Sequence, residues 1–274
     1  MLMMRSRRLA RVLLNSVSRM LSFDTSMLIS KQLLAAQGFG GSSGDIAVSG
    51  EIGVFNRMTA AEPVLFDVGG HVGEYTREFF QKFPKGRSFI FEPSVSHLER
   101  LRQNLGTHAA VTICAYGLGA EAAELPLYED QDISGLASLT QRRLDHINIK
   151  MEAVETVKIR TLDSVLDETG VSSIDLLKMD VEGHELSVLK GATDAMDRRL
   201  IKLVQFEFGG CNLDTRTTLQ DFFYFFKSYD FSIGLVQPQG RVQPIAHYDE
   251  FYEQYRTANF IAAPHGVLTH PAMT

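Results

Sequence analysis

Short apolar runs alternate with amphipathic stretches from residue 63 onward. Val64–Phe66, Arg87–Phe91, Val111–Ala115, Ile174–Met179 and Leu200–Phe206 are too short for helices and read as buried strands. Between them, Glu74–Phe83, Val95–Leu105, Leu162–Glu168, Glu185–Lys190 and Leu219–Tyr229 carry apolar residues at helical spacing. Ser94 suits an N-cap, and Gly191 the position just past a helix end. Segments 122–128 and 155–160 have the period-two pattern of half-buried strands, and Phe231–Val236 and Asn259–Ala263 supply two more. Strands alternating with helices predict an α/β fold with a mainly parallel sheet and right-handed crossovers. The long connection after residue 128 holds Ser134, Gly135 and Ser138, and loops of that length are functional or mobile more often than idle.

The first 60 residues break this rhythm. Residues 24–36 look helical, Gly38–Gly44 is a Gly/Ser break, and 45–62 is weakly patterned. The chain thus divides into a helical extension with a linker (1–60) and one α/β domain (61–274). Residues 1–23 carry Arg5, Arg7, Arg8, Arg11 and Arg19 and no acid, with Leu9, Leu13, Val17 and Met20 at helical spacing. Such a segment either lies on an anionic membrane surface or packs its apolar stripe on the main domain. Its longest apolar run, Val12–Leu14, is far too short to span a bilayer. A net charge of −6 removes any global electrostatic case for nucleic-acid binding. Cys114 and Cys211 stand in no metal-ligand spacing and fit a reduced cytoplasmic compartment, with membrane association left to the N-terminal segment.

Residues 64–73 (Val-Leu-Phe-Asp-Val-Gly-Gly-His-Val-Gly) form a strand, an acid, a glycine turn and a helix start. Open α/β sheets bind ligands at such turns. A dinucleotide fingerprint needs a glycine where Val68 stands, and a mononucleotide P-loop needs a closing Gly-Lys-Ser/Thr that is missing. S-adenosylmethionine fits better. Asp67 can attract its ammonium, Gly69 lets the backbone pass close, and Gly73 opens a helix whose N–H groups suit its carboxylate. Glu92, at the end of the neighbouring strand, can accept both ribose hydroxyls.

These residues resemble the FkbM-type S-adenosylmethionine-dependent methyltransferases. The likeness is carried by Phe66-Asp67-Val68-Gly69-Gly70-His71-Val72-Gly73-Glu74-Tyr75-Thr76, by Phe91-Glu92-Pro93 and by Thr161-Leu162-Asp163. The strongest stretch is Leu177-Lys178-Met179-Asp180-Val181-Glu182-Gly183-His184-Glu185, leading to Val188-Leu189-Lys190-Gly191-Ala192. The resemblance covers roughly residues 64–263, and the family commonly has Asn where His71 stands. It implies a Rossmann-like methyltransferase fold with a mainly parallel seven-stranded sheet and helices on both faces. It also implies O-methylation of a small-molecule or glycan acceptor. The expected cofactor wall is Asp67, Gly69, Gly70, His71, Gly73, Glu92 and Pro93.

Methyl transfer to an alcohol needs alignment and a base. Asp180, Glu182 and His184 follow the fourth strand, and Glu207 the fifth. His184 has a suitable pKa for the base, and equally suits the start of the next helix. Asp180 reads as a ligand contact or a helix N-cap, and Glu182 as a partner for a substrate hydroxyl. Glu185 in a first helical turn reads as structural. Asp180, Glu207, Asn212 and Asp214 are oxygen ligands near one another in the strand order, but no spacing demands a metal and none is expected. Two other classes remain open: an NAD-dependent oxidoreductase, and a non-catalytic S-adenosylmethionine-binding module tethered through residues 1–23.

Overall fold

The computed structural model describes residues 20–40, 46–131 and 133–269. The basic N-terminal segment up to residue 19 and the linker residues 41–45 lie outside the described residues. Eleven strands are described: β1 Val64–Val68, β2 Arg87–Phe91, β3 Val111–Cys114, β4 Gly117–Leu118, β5 Ala123–Glu129, β6 Glu152–Arg160, β7 Leu176–Met179, β8 Val204–Phe208, β9 Phe231–Val236, β10 Val242–Ile245 and β11 Ala258–Pro264. The helices are α1 Phe23–Ala36, α2 Ile46–Ser49, α3 Glu74–Lys82, α4 Val95–Leu105, α5 Leu162–Thr169, α6 Glu185–Lys190, α7 Thr193–Asp197, α8 Cys211–Thr215 and α9 Leu219–Ser228.

Eight strands form one sheet in the order β10-β9-β11-β8-β7-β1-β2-β3. From β8 to β3 every pairing is parallel, while β11 runs antiparallel to both β8 and β9. The expected seven strands are thus eight. The addition is β10, whose Pro244 has no N–H to give and therefore sits on the sheet edge. The two period-two segments do not join this sheet. They pair with each other as β5 and β6 and, with β4, form a separate three-stranded sheet around Leu127, Val157 and Ile159.

Side-chain alternation along the strands puts helices on both faces. Phe66, Val68, Leu177, Met179 and Phe206 pack with Val165 of α5, Leu189 of α6 and Phe222 of α9. Leu65 and Leu176 point the other way, to Tyr75 and Phe79 of α3, and Ile90 packs on Leu98, Leu101 and Leu105 of α4. Val54, Phe55 and Met58 belong to the α3 cluster, so packing continues across the expected boundary at residue 60. By contrast, α1 buries none of its residues, and no helix among the described residues is long and apolar enough to cross a membrane.

The ends of β1 and β7 meet at Gly69. Its φ of +77° is left-handed, and a Cβ there would lie 1.9 Å from the Asp180 carbonyl oxygen. Gly69→Ala should therefore destabilise the fold by about 2 kcal/mol or more, read by urea unfolding. Unchanged stability would show that the two turns do not lock each other.

Candidate active site

The carboxyl ends of β1, β2, β7 and β8 open into a cavity of about 340 Å³, within the range of small-ligand sites. One wall is apolar, with Phe91, Leu118, Leu127, Leu139 and Ile159. The rest is acidic. Glu51, Glu74, Glu92, Asp180, Glu182 and Glu207 line it, and no Lys or Arg among the described residues does.

On the β1–β2 side, Gly69, His71, Glu92 and Pro93 line the cavity, but Asp67, Gly70 and Gly73 do not. Alternation along β1 turns Asp67 to the α3 face with Leu65. Its carboxylate is fully buried, accepts from Thr76 Oγ1 at 2.7 Å and lies 3.7 Å from Lys178 Nζ. The ammonium-binding role expected of Asp67 thus has no access to the cavity. Gly70 and Gly73 are needed for packing, since a Cβ at either would strike Ile90 or the leucines of α4. The N–H groups of Gly69 and Gly70 both donate to the Phe91 carbonyl, at 2.9 and 3.3 Å.

Glu92 is held from three sides. Its Oε2 accepts the His71 N–H and its Oε1 the Ser94 N–H, each at 2.9 Å, and His97 Nδ1 stands 3.3 Å from Oε1. Ser94 Oγ in turn donates to Glu129 Oε1 at 2.9 Å. The His71 ring meets the His97 ring edge-on, with centroids 4.5 Å apart, and its Nε2 has no hydrogen-bond partner. Burial, and His97 beside it, hold the His71 pKa below its ordinary value.

On the β7–β8 side the long loop after β5 closes over the turn. Ser138 Oγ donates to the Glu182 carbonyl, and the Arg142 guanidinium pairs with the Glu182 carboxylate. These contacts hold Glu182 at a φ of +50°, a strained conformation for any residue but glycine. His184 occupies the N-cap position of α6 and its Nε2 lies 2.9 Å from Thr140 Oγ1; burial lowers its pKa. Glu185 is fully buried, and its Oε1 accepts the N–H groups of Val181 and Gly183. Carboxylate oxygens of Glu182 and Glu207 and Cys211 Sγ lie within 4.8 Å of one another, a geometry that three metal ligands share. The arginine on Glu182 already supplies a cation there. Burial and the neighbouring Asp180 raise Glu182 to about 8 against the pull of Arg142, and burial with Asp180 and Glu182 raises Glu207 well above the carboxylate range. With Arg142 on Glu182, the proton of this pair belongs on Glu207.

A profile of the methyltransferase FkbM domain matches residues 67–233. The chain belongs to this family. FkbM relatives include the 2-O-methyltransferase NoeI of Sinorhizobium fredii, 27% identical over 53% of this chain and 63% of that protein. The hexuronic acid methyltransferase AglP of Haloferax volcanii is 29% identical over 54% of this chain and 57% of its own length. The 31-O-demethyl-FK506 methyltransferase FkbM of Streptomyces tacrolimicus is 28% identical over 52% and 64%. The chain therefore spans less than two thirds of each of these relatives.

Within the FkbM domain, Thr161-Leu162-Asp163 is a helix-capping device. Thr161 accepts the Ser164 N–H, and Asp163 accepts the N–H groups of Asp194 and Ala195 at the start of α7. Glu51 lies outside the FkbM match and comes from the weakly patterned segment 45–62, so no motif marks it. His97 and Arg142 are not marked in the sequence, because a helix histidine and a loop arginine carry no spacing signal. The length of the loop after β5 is the one signal that points to Arg142.

Burial pushes the Glu185 carboxyl up to about 7, so the folded state holds a proton that the unfolded state releases near 4.5. Stability is then lost as pH rises from about 4.5 to about 7. Glu185→Gln keeps the carbonyl acceptor and removes the charge. Its stability relative to the original chain should grow across that window, by about 1–3 kcal/mol at pH 8 in urea unfolding. A constant difference from pH 4.5 to 8 would contradict an ionised, buried Glu185.

Proposed function

We propose that the chain is an S-adenosylmethionine-dependent O-methyltransferase that methylates a hydroxyl of a sugar, glycan or secondary metabolite. The observation that carries this is Glu92, fixed by the His71 and Ser94 N–H groups on the wall of a cavity whose other end is rimmed by Asp180, Glu182 and Glu207. The cofactor, a cation with a ribose diol and an adenine, suits this lining. No Lys or Arg among the described residues lines the cavity beside its acids, and its apolar wall from β4, β5 and β6 suits a flat ring. When bound, the cofactor supplies an electrophilic methyl group on a sulfonium.

Glu92 would accept the ribose hydroxyls through the lone pairs its backbone donors leave free. The loop after β5 would exclude water, since Ser134, Gly135, Ala137, Ser138 and Leu139 line the cavity and Ser138 ties that loop to Glu182. In the sheet order, Glu207 on β8 lies three strand spacings from the end of β2, about 14 Å, which leaves the β7–β8 side for the acceptor. There Asp180, Glu182, His184 and Glu207 face the acceptor. Of these, Glu207 has a raised proton affinity and no cation beside it, whereas a ring nitrogen of His184 is engaged with Thr140. Glu207 holds a proton in the free chain, so it would serve as the proton acceptor only once ionised, which the positive charge of a bound cofactor would favour, with His184 holding the loop. The names of NoeI and the FK506 enzyme support a hydroxyl acceptor.

The oxidoreductase reading is disfavoured by the same lining. A dinucleotide pyrophosphate would meet six carboxylates, and the two turn N–H groups that would receive it are spent on Phe91. A non-catalytic module needs none of the acids on the β7–β8 side.

Calorimetry with S-adenosylmethionine tests the reading, and no binding at millimolar ligand would end it. Glu92→Ala should weaken binding about tenfold or more. Ligand at about 100 times Kd should add about 2.7 kcal/mol of stability. With an acceptor found by screening, Glu207→Gln should lower kcat about a hundredfold or more at unchanged cofactor Kd. Full turnover of that variant would return the base role to His184.

A further inference from the structure

Two buried carboxylates, Glu92 after β2 and Glu129 at the end of β5, stand on either side of one imidazole. His97, in the first turn of α4, is 3.3 Å from Glu92 through Nδ1 and 3.9 Å from Glu129 through Nε2. All three side chains are at most 6% exposed. The same helix start receives Glu155 of β6, which accepts the Val95 N–H at 3.0 Å, and the edge of His71 from the β1 turn. Charged groups facing His97 are thus Glu92, Glu129 and Glu155, with His71 the other titratable ring. No Lys or Arg lines this part of the cavity among the described residues.

Buried anions persist only when paired. A neutral imidazole can donate to one carboxylate, and its second nitrogen then turns a lone pair toward the other. Only the doubly protonated ring turns an N–H toward both, with Nδ1 in reach of Glu92 and Nε2 making a charge contact but no hydrogen bond across the 3.9 Å to Glu129. Burial pulls the His97 proton affinity down, but the hydrogen bond and charge of Glu92, with Glu129 and Glu155, outweigh it and raise the pKa. Glu129 reaches Glu92 by a second route, through Ser94, whose hydroxyl and N–H bridge the two acids. The orientation of Glu92 therefore depends on a proton three residues beyond that bridge.

We propose that His97, protonated between Glu92 and Glu129, is the positioning residue that holds the Glu92 carboxylate ready for the cofactor's ribose, so that cofactor affinity falls as pH rises. This rests on the cofactor site proposed above. Loss of the proton removes the positive charge that stands between the two buried carboxyl groups. Glu92 keeps its two backbone donors but loses the cation that steadies its charge, and cofactor binding must draw the proton back.

The test uses the full chain and S-adenosylhomocysteine, titrated by calorimetry from pH 6 to 8.5 in two buffers of different ionisation heat. For the original chain, Kd should rise about tenfold or more over that range, with proton uptake on binding at the upper end. His97→Gln, which donates but cannot titrate, should bind with a markedly shallower pH profile and less uptake than the original chain. Glu129→Gln, which removes one of the two anions, should move the profile to lower pH, and it serves if His97→Gln does not fold. A flat profile in the original chain, or an unaltered profile in the variants, overturns the role of His97. Failure of the original chain to bind S-adenosylhomocysteine at any pH overturns instead the cofactor site itself.

Discussion

Lys178 and Gly69 together hold the floor of the site. Lys178 is buried on β7 with its ammonium 3.7 Å from Asp67 on β1 and 3.3 Å from Asp180 beyond its own strand, over the Tyr75 ring. A buried ion pair of this kind contributes less to stability than to orientation, because desolvation offsets much of the attraction. Here it fixes where two parallel strands stop and where Asp180 points. Gly69 completes the contact by admitting the Asp180 carbonyl where a side chain would stand. Everything that lines the cavity on either side is placed relative to this junction.

The cavity's charge follows from the same geometry. Parallel strands end at one edge, and β2, β7 and β8 each finish within one residue of an acid, so carboxylates converge there by topology. Two cations compensate part of this from behind, Lys178 for Asp67 and Asp180, and Arg142 for Glu182. Glu207 has neither, and its carboxyl is held well above the ordinary range by burial and by Asp180. An FkbM domain arranged this way favours ligands that bring positive charge or hydroxyl donors and resists phosphates.

The sheet and its crossovers were legible because each strand run and each helix face is a local pattern. What failed was partnership. The pattern of segments 122–128 and 155–160 says strand but not which sheet, and they form their own. β10 was hidden by Pro244, which suits only an edge. Within the site, Gly69, His71, Glu92, Pro93, Asp180, Glu182 and His184 were recognisable and share one cavity. Asp67 was recognisable as a strand-end acid, yet alternation put it on the α3 face, bound to Thr76. Glu51, His97 and Arg142 come from a 3-10 turn, a helix and a loop. Their roles arise from contacts 40 residues away for Arg142 and Glu182, or across elements for His97 and Glu129, and no local spacing records these.

The central claim is that one cavity, between the β1–β2 turns and the β7–β8 turns, takes the cofactor. Hydrogen exchange with and without S-adenosylhomocysteine tests it over the whole chain at once. Slower exchange should appear in residues 68–73, 91–97, 134–139 and 180–184, with little change at the opposite edge of the sheet near 199–203. Unchanged exchange in those four segments at saturating ligand, or protection centred on 199–203, would contradict it.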